Sequence, residues 1–118
     1  MDAALLQRID FLQLALHLGG NRKNMRDMLD LFLRSAETSL DKLEAAEKNQ
    51  NIITWLQVAH QLKGASKNIT AKRLASLCLE AEEIREFPHP QSEAVTYHMR
   101  KELAILREVI HKHLETMP

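Results

Sequence analysis

From Arg22 to Lys48 the chain places Met25, Leu29, Phe32, Ala36, Leu40 and Leu43 at intervals of 4, 3, 4, 4 and 3 residues, with no glycine or proline among them. Alternating threes and fours match the α-helical turn of about 3.6 residues, so these side chains share one stripe. Met28 and Leu33 widen it. A helix of this length cannot bury its stripe alone and must pack against other helices.

The remaining segments supply such partners. Leu5, Leu6, Ile9, Leu12, Ala15 and Leu16 predict a first helix from Asp2 to Leu18. Gly19 and Gly20 suit its exit, and Asn21 suits the cap of the long helix. Asn49-Gln50-Asn51 is a polar break of turn-forming residues. A third helix is predicted from Ile52 to about Lys67. Thr70 is expected to cap a fourth, Ala71 to about Glu86, with Leu74, Leu77, Cys78, Ala81 and Ile84 inward. Pro88 and Pro90 make Phe87 to Ser92 a loop. Val95, Met99, Leu103, Leu106, Ile110 and Leu114 form one face of a last helix, Glu93 to Glu115. The expected fold is all-α: an antiparallel up-down four-helix bundle with a short additional N-terminal helix. Residues 1–118 are expected to form one domain, with no repeat or long linker.

Sixteen basic residues balance sixteen acidic ones, so no net charge draws the chain to nucleic acid or to an anionic membrane surface. Cys78 stands alone, which rules out an intramolecular disulfide and fits a reducing compartment. No apolar run reaches membrane-spanning length, and no basic-then-apolar signal pattern opens the sequence. A cytoplasmic monomer is expected. Asn68-Ile69-Thr70 matches a glycosylation acceptor by chance on that view.

The candidate chemistry lies in the third helix. His60, Lys63, Gly64 and Lys67 fall on one helical stripe, beside a packing stripe of Ala59, Leu62, Ser66 and Ile69. Glycine inside a helix costs about 1 kcal/mol relative to alanine, so Gly64 calls for a reason. A nucleophilic ring, a cation one turn on and a bare patch of backbone suggest docking for phosphoryl transfer. The bland alternative is a solvent-facing histidine, the commoner fate of such a residue. The other histidines lack ligand spacing: His111 and His113 point to different faces, and His17, His89 and His98 have no partnered cysteines or carboxylates. Cys78 reads as packing. Trp55, Ile53 and Leu56 each fit either the core or a docking surface.

The run Ala59-His60-Gln61-Leu62-Lys63-Gly64-Ala65-Ser66, followed by Asn68, Ile69, Ala71, Leu74 and Cys78, resembles the histidine-containing phosphotransfer (HPt) domain family. That family carries His-x-x-Lys-Gly in a four-helix bundle, and the likeness extends over nearly the whole chain. It implies that His60 is the phosphorylated histidine, that Lys63 contacts the phosphoryl group, and that Gly64 leaves room for a partner. A polar residue twenty-two positions after the histidine is common in the family. Here it is Glu82, which would accept a hydrogen bond from the non-reacting ring nitrogen. Two positions depart from the pattern: Thr70 stands where glycine is common, and Glu86 is acidic where some members are basic.

The resemblance implies receiver domains of response regulators, and a hybrid or sensor histidine kinase, as partners. Ile53, Leu56 and Gln57 before His60, and Lys67, Lys72 and Arg73 after it, would form an apolar patch with a basic rim. Neutral imidazole is a nucleophile near pH 7. With no aspartate cluster, Gly-rich loop or Walker lysine, the chain cannot phosphorylate itself from ATP. No cofactor is expected on this chain, Mg²⁺ being expected on the receiver. Two other readings remain open: a non-phosphorylated helical adaptor, and a phosphodonor module of a larger histidine kinase.

Overall fold

The computed structural model describes residues 7–18 and 21–117. Among them are five helices and no strand: α1 (Phe11–Leu18), α2 (Arg22–Lys48), α3 (Ile52–Asn68), α4 (Lys72–Glu82) and α5 (Ser92–Thr116). Asparagines begin two of them. Asn21 Oδ1 accepts the Asn24 N–H at 3.1 Å, and Asn51 Oδ1 accepts that of Thr54 at 3.2 Å, each satisfying a donor the helix itself leaves free.

The first helix is shorter than expected. Asp2 to Leu6 lie outside the described residues, and Gln7 to Asp10 are not helical. Asp10 is the reason: its Oδ1 accepts the Gln13 N–H at 3.0 Å, so helix begins only after it. Ile9 and Leu14 are buried, whereas Leu12 and Leu16 are 73% and 75% exposed. Phe11 stacks on His113 of α5 with ring centroids 3.8 Å apart, and burial holds the His113 pKa below its ordinary value.

Thr70 does not cap α4, as its place in the sequence suggested. It sits at φ 62, in the left-handed region, and the residue at the N-cap is Ala71. That conformation is why a glycine is at home there, since an L side chain in it costs about 1–2 kcal/mol. The Thr70 hydroxyl accepts the Asp10 N–H at 2.6 Å instead, tying the N-terminal segment to the α3–α4 corner. Gln50, at φ 55, turns the α2–α3 corner in the same way.

α4 stops at Glu82, four residues before the expected end, so Glu86 is not helical. The Ala81 carbonyl, which a continuing helix would offer to the Arg85 N–H, accepts the Trp55 Nε1–H at 2.8 Å and the Ile84 N–H at 3.1 Å. Pro88 then discourages helix in the residues before it. Trp55 is fully buried, with Phe87 edge-on at 5.2 Å, which answers the open question of its place.

Each of α2 to α5 packs on the next and α5 returns to α2, while α1 lies against α2. Along the α2–α5 seam, Ser92 Oγ donates to Glu47 at 3.2 Å, Arg100 meets Glu44, Asp41 and Glu37 at 2.6–2.7 Å, and Arg107 meets Glu37 at 3.1 Å. Positions rising along one helix therefore face positions falling along the other. Met25, Leu29, Leu40, Leu43, Leu74, Met99, Leu106 and Ile110 fill the interior. Glu102 is buried among them, with one oxygen paired to Arg8.

Candidate functional site

α3 presents two faces with different duties. Trp55, Val58, Ala59, Leu62 and Ser66 are buried, and the Ser66 hydroxyl returns to the Leu62 carbonyl at 2.7 Å. The adjoining face carries His60, Lys63, Gly64 and Lys67, as their helical spacing requires. Burying the first stripe fixes the rotation of α3, which leaves His60, Gly64 and Lys67 exposed and lays Lys63, partly buried, toward Glu82.

The His60 side chain is 72% exposed. Its Nδ1 lies 3.3 Å from Glu82 Oε2, and Lys63 Nζ lies 2.7 Å from Glu82 Oε1. The Lys63 contact is a charge pairing whose alignment falls short of a regular hydrogen bond. A carboxylate in the last turn of α4 is thus shared by a ring and a cation on α3. Partial burial pushes the Glu82 carboxyl upward, but the Lys63 ammonium and then the His60 ring outweigh it and hold the group below the ordinary carboxylate range. An ionised carboxylate only accepts, so the Nδ1 facing it carries the proton. With Nδ1 turned to Glu82, the other ring nitrogen, Nε2, is the one directed outward from this mostly exposed side chain.

A Cβ placed on Gly64 would meet nothing within 4 Å. The glycine therefore relieves no crowding inside this chain, and the space over it is open. Beneath the site the Cys78 thiol is buried, pushed up to about 12 by burial first and by Glu82 second, so it stays an unreactive packing group near neutrality.

The flanking residues divide. Ile53 is 69% exposed, Gln57 is exposed, and Leu56 is half-buried against the core. Lys67 and Lys72 line, with Lys63, Gln13, Ser76 and Leu79, an open groove of about 430 Å³ beside the site. Arg73 belongs instead to a neighbouring groove with Arg8 and Phe11. Sequence reasoning missed Gln13 and Leu79. Leu79 is half-exposed and lies off the inward stripe of α4, so an apolar residue out of phase was the available signal. Gln13 carries no such mark.

No described helix is long and apolar enough to cross a membrane, and the described residues hold no group of three or more metal-ligating side chains.

The family model described as Hpt domain matches residues 27–110, which span most of α2 and α5 and all of α3 and α4. No curated protein matches the chain. Among solved structures it is similar to histidine-containing phosphotransfer protein B (HptB) from Pseudomonas aeruginosa PAO1, with a TM-score of 0.74 and 28% identity, covering 98% of this chain and 94% of that one. The helices, the arrangement around His60 and the family match lead to one conclusion: the chain belongs to the Hpt domain family.

Proposed function

We propose that this chain is a phosphocarrier of a two-component phosphorelay, taking a phosphoryl group on His60 Nε2 from a receiver-domain aspartate, or from a kinase, and passing it to another receiver aspartate. The observation that carries this reading is the bond from His60 Nδ1 to the ionised Glu82, on a ring whose other nitrogen faces open solvent beside Gly64.

The step balances without a proton transfer. The Nε2 lone pair attacks the phosphorus of the partner's acyl phosphate, the P–O bond to the aspartate breaks, and the carboxylate leaves with the electron pair. The ring becomes an N-phosphoryl imidazolium that retains its Nδ1 proton, and Glu82 offsets the new positive charge. Lys63 pairs with Glu82 at rest and is close enough to turn its ammonium toward a phosphoryl oxygen, as a point charge rather than a fork. Mg²⁺ and the remaining electrostatics belong to the receiver, because phosphoryl transfer is catalysed by positioning and charge neutralisation. On this reading the chain needs no cofactor and has no kinase activity of its own.

The docking surface comprises Ile53, Leu56 and Gln57 on one side of His60 and Lys67, Lys72 and Arg73 on the other, its basic rim matched to an acidic receiver. The fold is the antiparallel up-down four-helix bundle with α1 added, acting as one cytoplasmic, monomeric domain.

The test is transfer of labelled phosphate from several phosphorylated receivers to the wild type and to His60→Gln. Acid-labile, base-stable label on the wild type, absent from a folded His60→Gln, is the expected result. No label on folded wild type from any receiver would overturn the proposal and leave a binding adaptor.

A further inference from the structure

Trp55 lies on the buried side of α3, five residues before His60. Its indole N–H donates to the carbonyl of the peptide that joins Ala81 to Glu82. That bond falls where α4 ends and where helical carbonyls lose their intrahelical partners. The same oxygen takes the Ile84 N–H, and the Glu83 N–H reaches back to Leu79 and Glu80, each at 3.2 Å. Phe87 packs edge-on against the indole at 5.2 Å and an interplanar angle of 82°, which fixes the ring plane. Trp55 is fully buried, and a buried indole N–H must find an acceptor.

We infer that Trp55 is a positioning residue for His60, acting through the last turn of α4 and Glu82. One rigid helix, α3, carries both the ring to be oriented and the indole that grips the backbone of the residue orienting it. The distance along α3 between them is about 7.5 Å, set by the helical rise. The Glu82 carboxylate is thereby held against Nδ1 from two sides: by its own contacts with His60 and Lys63, and by its peptide bonded to Trp55. Without the indole bond the Ala81 carbonyl keeps only the Ile84 N–H, the last turn of α4 loses its tie to α3, and the Glu82 backbone shifts relative to α3.

This inference rests on the phosphotransfer reading, and its test separates the two. Trp55 is replaced by 3-benzothienylalanine, which keeps the bicyclic volume but lacks the N–H, and in parallel by Phe. ¹⁵N NMR of the His60 ring reads the tautomer, and labelled-phosphate transfer reads the rate. The wild type is expected to hold the proton on Nδ1. Both variants are expected to show a mixture of tautomers and transfer slowed by about tenfold. In a Glu82→Ala background the Trp55 replacement is expected to add no further loss, because both act through one carboxylate. An unchanged tautomer and rate in the folded benzothienylalanine protein would overturn the inference while the carrier role stands. Absence of label on the wild type would overturn the carrier role, and the tautomer would still decide whether Trp55 positions His60.

Discussion

Among the described residues, two clusters of charge bridge neighbouring helices, and they are built in opposite ways. On the α2–α5 seam one guanidinium, Arg100, is surrounded by Glu37, Asp41 and Glu44, and Arg107 takes a further oxygen of Glu37. On the α3–α4 side one carboxylate, Glu82, is surrounded by donors, the His60 ring and the Lys63 ammonium. The seam pairs both guanidiniums with carboxylates, and the three around Arg100 raise the pKa of an arginine that is already permanently charged. Nothing there is left with a free lone pair of the right basicity. The Glu82 cluster engages one nitrogen of a mostly exposed ring and leaves the other directed outward. Saturated charge ties two helices together, whereas on the proposed reading the cluster that is one partner short is the one that carries the phosphoryl group.

Breaking the Glu82 cluster is expected to have the larger effect. On the phosphocarrier proposal, Glu82→Ala removes the acceptor for Nδ1–H and the negative charge that would face the phosphorylated ring, and is expected to slow transfer by about a hundredfold. Glu82→Gln keeps an acceptor and should retain much more activity. Single-turnover transfer from a phosphorylated receiver measures both, and equal rates for Ala and wild type would remove Glu82 from the mechanism.

Breaking the saturated cluster is expected to do the reverse. Arg100→Ala should leave the transfer rate unchanged and reduce stability by about 1–2 kcal/mol, read from the urea midpoint, since it dissolves a network rather than an isolated surface pair. A slowed transfer in Arg100→Ala would show that the two clusters communicate.

The smallest effects sharpen the comparison through pH. The Glu82 pKa is lowered in the fold, so its contribution to stability is complete above the ordinary carboxylate range and lost as pH falls through the depressed value. The His113 pKa is also lowered, by burial, so the unfolded chain binds the proton first and stability falls as pH drops below the ordinary imidazole value. Urea midpoints from pH 8 to pH 3 should show two shallow steps of no more than about 1 kcal/mol each. Glu82→Gln removes the lower step and His113→Phe the upper.

Much of this was legible in the sequence because it depends on local periodicity. The bounds of α2, the start of α3 and the single stripe of His60, Lys63, Gly64 and Lys67 follow from spacing and from Asn21 and Asn51. What was not legible depends on contacts distant in sequence. Thr70 has the composition of a cap, but its φ is set by the tight corner and its hydroxyl is taken by Asp10, sixty residues away. The apolar pattern of α4 runs on through Ile84, yet an indole from another helix claims the carbonyl that an extension would need. Leu12 and Leu16 fit a helical stripe but face solvent, since Ile9 and Leu14 are the residues that reach the core. The pairing of Lys63 with Glu82 at rest was likewise invisible, because spacing cannot say which of two acceptors an ammonium will choose.

The corners at Gln50 and Thr70 have a further consequence for anyone re-engineering the domain. Both connections flanking α3 turn through a left-handed residue that is not glycine. The helix bearing the His60 ring is therefore joined to its neighbours by two links that the chain has left unrelaxed. At Gln50 a glycine would ease the backbone and leave the chemistry untouched. At Thr70 it would also release the Asp10 amide, so the same edit made twice would harden one joint and loosen the other.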